Sequence, residues 1–306
     1  MSAHLQANFN IKPKFMINKK QSIKREKLVI ANFKANVISN QKQYVDTLLE
    51  LVSRGAEGVG ASNNAENEGE SIGDSSVLCV VCPSTPYISS FNEYISAGLA
   101  DNNGDGAVSV VCGAQSVSSA LQGSYTGEVV AEMLADVGTK FAIVGHSEER
   151  AMLKRENDDI ASAVKNCFTC GLGVVLCVSN ETISSLREIV SNALKLLAKH
   201  DKSPSLNELN LVIAYEPIDA INGASAAPAD IRKKFFNEIK SQIDSLSVEF
   251  GESGEEFCNS IRLIYGGSAD EITAKKIVEE DGIDGVIVGR ATLDPIKIAK
   301  ICRSLV

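Results

Sequence analysis

The chain has 306 residues, 44% of them hydrophobic and 23% charged, enough apolar surface for one large core or two small ones, which excludes disorder throughout. Thirty Lys and Arg against 39 Asp and Glu leave a net charge of -9 and a pI near 5.0. That is the wrong sign for general affinity to nucleic acid, and no run reaches the roughly 18 consecutive apolar residues of a membrane-spanning helix.

Residues 1–26 carry Lys12, Lys14, Lys19, Lys20, Lys24 and Arg25 against Glu26 alone, a balance of +5 that leaves residues 27–306 at -14. This acid-poor tail lacks the apolar core of a secretion signal and is compatible with an organelle transit peptide and equally with a disordered extension. The folded domain is predicted over 27–306. The expected compartment is the cytoplasm, with a plastid-like or mitochondrion-like organelle as the alternative if the tail is a transit peptide.

From Lys27 onward short apolar runs alternate with helical spacing. Leu28–Phe33 reads as a strand and Gln43–Val52 as a helix, followed by a Gly/Ser/Asn/Glu-rich insertion at Gly55–Ser76. Strands follow at Val77–Cys82 and Val108–Cys112, with the turn-rich Asp101–Gly106 between them, then a helix at Val129–Leu134. Next come a strand at Phe141–Val144, a helix at Asp158–Cys167, a strand at Val174–Val178 and a helix at Ile183–Leu197. An insertion at Lys199–Asn207 precedes a strand at Leu211–Ala214, a helix at Ile231–Leu246 and a further insertion at Gly251–Ser260. Strands at Ile261–Ile264 and Val286–Val288 flank a helix at Ile272–Val278. The runs are rich in Val and Ile and do not alternate with polar residues, as expected of parallel strands buried on both faces. Eight strand–helix units in a chain of this size predict an α/β fold, a single (β/α)8 barrel, for which about 250 residues is typical. The four insertions fall between a helix and the next strand, on the face opposite the one where such barrels hold their chemistry.

Two side readings fail on spacing. Cys79 and Cys82, three apart on one strand, face opposite sides and cannot share a zinc ion; buried thiols in a reducing compartment suit the eight cysteines better than disulfides. Asp101, Asn103, Asp105 and Gly106 match the start of a calcium loop, but its twelfth position is Cys112, inside a predicted strand. No metal and no cofactor are expected.

Chemistry in such a barrel belongs just after each strand. Those positions hold Asn32 and Lys34, Gln115, His146 with Ser147 and Glu148, Glu216, Ser268, and Gly289 with Arg290. Of three histidines only His146 stands at a strand end. Ser147 is a candidate helix cap behind it, which places the ring at the positive end of a helix dipole and favours the neutral imidazole. Glu216 closes an apolar strand ahead of Pro217, a setting that raises a carboxyl pKa and makes a competent base. The small-residue segment Ile218–Ala227 reads as a lid. Lys34 supplies a fixed cation, and Gly266-Gly267-Ser268 with Gly289-Arg290 form a phosphate cradle of backbone N–H groups. Together these describe proton abstraction beside a carbonyl on a small phosphorylated substrate.

Ala31-Asn32-Phe33-Lys34, Gly113-Ala114-Gln115, Tyr125-Thr126-Gly127-Glu128, Val144-Gly145-His146-Ser147-Glu148, Ala214-Tyr215-Glu216-Pro217, Tyr265-Gly266-Gly267-Ser268 and Gly285-Val286-Ile287-Val288-Gly289 give the sequence its resemblance to triosephosphate isomerases, from about Lys27 to the C-terminus. The resemblance implies isomerisation of dihydroxyacetone phosphate and D-glyceraldehyde 3-phosphate through an enediolate, in glycolysis and gluconeogenesis, without a cofactor. It implies Glu216 as base, His146 as the group polarising the carbonyl, Lys34 and Asn32 holding substrate, and Glu148 orienting Lys34. It implies phosphate binding at the N–H groups of Asn222, Ser268, Gly289 and Arg290, and a homodimer in which Gln115, Thr126 and Glu128 lie at the contact.

The sequence also departs from the family. Asp219 replaces the usual lid Trp, Asn222-Gly223-Ala224-Ser225 replaces Gly-Thr-Gly-Lys, and Arg290 replaces Gly. Glu149 replaces the Arg that normally pairs with the acid at Glu128, predicting repulsion between Glu149 and Glu128. Two other functions fit these departures: a barrel kept as a binding or structural protein, and an isomerase of another small sugar phosphate.

Overall fold

The computed structural model describes residues 25–53, 76–101, 107–199, 203–217 and 225–306. Eight parallel strands, β1 (Lys27–Asn32), β2 (Val77–Cys82), β3 (Val108–Ala114), β4 (Phe141–Val144), β5 (Gly173–Val178), β6 (Leu211–Tyr215), β7 (Arg262–Tyr265) and β8 (Gly285–Val288), pair in sequence order, and β8 returns to β1 to close the barrel. Around them lie α1 (Gln41–Ser53), α2 (Ile88–Asp101), α3 (Ala131–Asp136), α4 (Ser147–Leu153), α5 (Asn157–Thr169), α6 (Leu186–Leu197), α7 (Ala229–Ser260), α8 (Thr273–Asp281) and α9 (Pro295–Ser304). The predicted strands match to within one or two residues at each end, and the predicted fold class is the observed one.

The two-residue period of a strand sorts the core into two layers. Leu28, Ile30, Val80, Cys82, Phe141, Ile143, Val175, Cys177, Val212, Ala214, Ile264 and Ile287 point to the axis and pack as one buried cluster. Their chain neighbours, such as Val29, Ala31, Cys79, Val81, Val174, Leu176 and Ile213, pack outward against the helices in a second, larger cluster. Cys79 and Cys82 thus lie in different layers, as the spacing argument requires. All eight cysteines are free thiols, and six are buried.

Helix ends follow local chemistry. Asp294 caps α9 by accepting the Ile296 N–H at 2.9 Å, ahead of Pro295 in the first turn. Glu156 and Asp159 form a capping box at α5, and Gly282 ends α8 in the left-handed conformation. The insertion at Gly251–Ser260 is helical. It continues α7 after a break at Gly251 (φ 64°, ψ -152°), and Phe257, fully buried, with Cys258 bonded to the Ile243 carbonyl at 3.4 Å, docks this last stretch onto the core. The insertions at 55–75 and 102–106, with the calcium-like loop, lie outside the described residues apart from their edges, as do residues 1–24.

At the floor of the barrel the chain entering β1 is tied across the β7–β8 side. Arg25 donates to the carbonyls of Ile261 (3.1 Å) and Asn259 and faces Asp284 at 3.8 Å. Lys27 Nζ donates to the Ile283 carbonyl at 2.8 Å, and Glu26 faces the buried Arg262 at 3.8 Å.

The β1–β8 seam needs a glycine: a Cβ at Gly285, paired with Leu28, would stand 1.9 Å from the Leu28 carbonyl oxygen. Backbone cannot yield as a side chain does. Gly285→Ala is expected to lower the unfolding free energy by about 1–3 kcal/mol or more, read by urea unfolding, with wild-type stability counting against so close a seam.

Candidate active site

The inward register of each strand, continued past its end, places the polar groups. Leu28 and Ile30 lead to Asn32, Val212 and Ala214 to Glu216, and Gly113, whose Cβ would meet the inward Cys82 and Val80, leads to Gln115. Gly266 and Gly289 continue the inward register of β7 and β8. A Cβ at Gly266 would lie 2.7 Å from the Glu216 Cγ, so only glycine leaves room beside the carboxylate.

Lys34 has φ 52°, a left-handed conformation that costs a non-glycine residue about 1–3 kcal/mol. Three hydrogen bonds hold it. Its N–H donates to Asn32 Oδ1 at 3.0 Å, and its carbonyl accepts from Ser84 Oγ at 2.8 Å and from Gln115 Nε2 at 3.0 Å. The same Gln115 nitrogen donates to the Cys82 carbonyl at 3.0 Å. The Lys34 ammonium meets Glu148 Oε1 at 2.6 Å.

His146 is 7% exposed. The cap of α4 is His146 itself rather than Ser147: its Nδ1 accepts the Glu148 N–H at 3.2 Å. A nitrogen that accepts carries no proton, so the hydrogen of this neutral ring sits on Nε2, which lies 3.1 Å from Glu216 Oε1. The imidazole earns its cap position because the first turn of a helix leaves backbone N–H groups unpaired.

Glu216 is 3% exposed. Its other carboxylate oxygen accepts the Ser147 N–H at 3.3 Å, and the Cys177 thiol of the inner layer bonds to it from β5. Burial raises its pKa above the ordinary carboxylate value, against opposing contributions from His146, the Ser147 N–H, Cys177 and Lys34. A folded-state pKa above the unfolded one means the folded chain gains stability as pH falls through the window between them and loses it as pH rises through the raised value. Glu216→Gln is therefore expected to raise the thermal midpoint at neutral pH, with the gap closing as pH falls to the ordinary carboxylate range; identical midpoints at neutral pH would contradict a pKa raised by burial.

On the far side of the mouth the Arg290 guanidinium donates to Ser268 Oγ at 2.9 Å, and Lys34 Cε lies 3.3 Å from where a Cβ on Gly289 would stand. Ser268, Gly289 and Arg290 thus adjoin one another beside Lys34. Asn222 and Asp219 lie outside the described residues. The segment after them is anchored: the Ala227 N–H donates to Tyr265 Oη at 2.9 Å, and its carbonyl accepts from Arg232 at 2.7 Å. Arg232, 4% exposed, also meets Asp281 at 2.5 and 3.2 Å and Glu280 at 3.0 Å. Asp281→Asn leaves that buried guanidinium short of charge and is expected to cost about 3–5 kcal/mol, measured by denaturant unfolding; a loss under about 1 kcal/mol would mark the pair as dispensable.

Thr126 sits in an exposed stretch, residues 121–127, with Leu121 and Tyr125 also at the surface. Gln115 donates to the Lys34 and Cys82 carbonyls, and Glu128 meets Arg155 at 3.1 Å. The repulsion predicted between Glu149 and Glu128 does not arise, because Arg155 stands between them, 3.1 Å from Glu128 and 3.8 Å from Glu149. Bonds from Ser118 and Arg155 hold the Glu128 pKa below the usual carboxylate range. Arg155 and Ser84 escaped the sequence reading. Ser84 stands two residues past β2, at a strand end with no charged side chain to mark it, whereas nothing in the spacing marks Arg155, which follows Lys154 in a left-handed turn (φ 54°).

A buried carboxylate facing a neutral imidazole, with a fixed ammonium alongside at the C-terminal mouth of a parallel barrel, defines a barrel enzyme of proton transfer. Among the described residues no group of three or more His, Cys, Asp or Glu side chains could hold a metal ion, and no helix is long and apolar enough to cross a membrane. A family model described as triosephosphate isomerase matches residues 27–305. Similar proteins include triosephosphate isomerases of Bifidobacterium longum (33% identical over 197 residues, 63% of this chain and 71% of the relative) and Thermodesulfovibrio yellowstonii (34% over 190 residues, 60% and 71%). That of Hydrogenovibrio crunogenus is 31% identical over 242 residues, 77% of this chain and 87% of the relative. The chain belongs to the triosephosphate isomerase family of aldose–ketose isomerases.

Proposed function

We propose that this isomerase interconverts dihydroxyacetone phosphate and D-glyceraldehyde 3-phosphate, with Glu216 moving the proton between the two carbons. The observation that carries the reading is the Glu216–His146 contact of 3.1 Å between a buried carboxylate and a ring nitrogen that bears hydrogen. Substrate carbonyl oxygen, entering between them, takes the Nε2–H hydrogen bond in place of Glu216. The carboxylate then loses a donor that weakened it as a base, just as the carbon acid arrives. His146 stabilises the enediolate oxygen by hydrogen bonding, and the Lys34 ammonium, held by Glu148 and by the backbone bonds to Asn32, Ser84 and Gln115, adds positive charge where negative charge develops.

The phosphate group is assigned to the N–H groups of Ser268, Gly289 and Arg290, and of Asn222 in the lid. Here the Arg290 side chain, on the Ser268 hydroxyl, brings a guanidinium to a cradle otherwise made of backbone amides. A homodimer is proposed through the segment from Gln115 to Glu128, in which Leu121, Tyr125 and Thr126 are exposed. Cytoplasmic residence goes with the free, mostly buried cysteines.

Steady-state isomerisation of glyceraldehyde 3-phosphate tests the assignment. Glu216→Gln is expected to reduce kcat by about 10²–10⁴-fold while a phosphorylated substrate analogue still binds. Undiminished turnover would remove Glu216 from its role, and a wild-type chain inactive on triose phosphates would move the substrate to another sugar phosphate. Arg290→Gly is expected to raise KM roughly tenfold with kcat little changed and to weaken inhibition by inorganic phosphate by a similar factor. An unchanged KM would place the guanidinium away from the phosphate.

A further inference from the structure

We propose that Arg155 is a positioning residue for His146, acting through Glu149 and the peptide of Gly145. Gly145 immediately precedes His146, has φ 71°, and is clamped at both polar ends by α4 side chains. Its N–H donates to Glu149 Oε2 at 3.2 Å, and its carbonyl accepts from Arg150 Nε at 3.2 Å. Arg150 is in turn fixed by Asn157 at 3.0 Å. The other oxygen of Glu149 accepts from Ser116 Oγ at 2.7 Å, one residue past the Gln115 that supports Lys34. Glu149 therefore joins the β3 and β4 loops, and the imidazole, through Gly145, hangs on where its carboxylate stands once His146 hydrogen-bonds substrate.

That carboxylate shares its surroundings with the ionised Glu128. Arg155 is the cation that lets both stay, with one guanidinium nitrogen on Glu128 at 3.1 Å and Nε facing Glu149 at 3.8 Å. Nε is buried and makes no hydrogen bond, so its hold on Glu149 is electrostatic and, away from water, weakly screened. Removing the positive charge leaves two carboxylates to separate, and any displacement of Glu149 is passed by its bond with the Gly145 N–H to that peptide.

The inference rests on His146 as the group that polarises the carbonyl, and its test separates the two ideas by including a readout that needs no turnover. In Arg155→Met, which keeps the apolar stem, kcat is expected to fall on the order of ten- to a hundredfold with KM within about twofold. Nitrogen-15 spectra of the imidazoles, only three in the chain, are expected to show His146 passing from a single Nε2–H tautomer to a mixture. Arg155→Lys is expected to retain most of the activity. So is the double variant Arg155→Met with Glu128→Gln, since it removes the repulsion without restoring the arginine. Wild-type kcat and an unchanged His146 spectrum in Arg155→Met would overturn the proposal. So would a loss that persists both in Arg155→Lys and after the Glu128→Gln partner substitution, because a packing role predicts that result. A wild-type chain without triose phosphate turnover but with the expected spectral changes would fault the substrate and leave the positioning role standing.

Discussion

Closing eight parallel strands into a ring commits every second side chain to the axis and every other one to the helices, and the whole active site is an extension of that alternation beyond the strand ends. Asn32, Gln115 and Glu216 are simply the next inward positions after Leu28 and Ile30, after Gly113, and after Val212 and Ala214. A slip of one residue in β6 would turn Glu216 toward α7 and put Tyr215, which stacks on Phe235, into the mouth. Register is therefore protected by the same apolar layers that stabilise the fold, and the site inherits its precision from them.

Two costly features are concentrated where those layers end. Lys34 holds a backbone conformation that side chains avoid, and Glu216 keeps its carboxylate away from water. Each is held largely by neighbours from other strands: Lys34 by Asn32 at the end of its own strand and by groups after β2 and β3, Glu216 by groups after β4 and within β5. Because the tethers come from four or five elements, neither residue can relax without moving several strand ends together. That is how a locally unfavourable arrangement persists in a cooperative fold. The support for Lys34 comes from side chains on the adjoining strand ends, all aimed at its own backbone.

Much of this was legible in the sequence. Strands buried on both faces leave uninterrupted Val and Ile runs, so their limits and number could be read closely. His146 stood out by scarcity, and Glu216 by ending an apolar run. What could not be read depended on contacts distant in sequence or on exceptions to local rules. Gly251–Ser260 has the composition of a loop and folds as helix because Phe257 finds the core. The cap of α4 is an imidazole, a residue absent from the usual capping set, so Ser147 drew the assignment that belonged to His146. The pairing of Glu128 with Glu149 gave the right neighbours and the wrong energy, since the arginine between them lies on a turn that periodicity does not register.

The tie at the barrel floor sets a limit on how the chain can be trimmed. Arg25 reaches Ile261, Asn259 and Asp284, and Glu26 faces Arg262, so the two residues ahead of β1 already belong to the closure between the first strand and the last two. A proteolytic cut directly after Arg25, whether in a cell or at the bench, removes the guanidinium from that closure. Such a cut uncovers the Ile261 and Asn259 carbonyls and takes the arginine from Asp284, so among the described residues the bracing of the barrel begins at Arg25 and not at the first residue of the first strand.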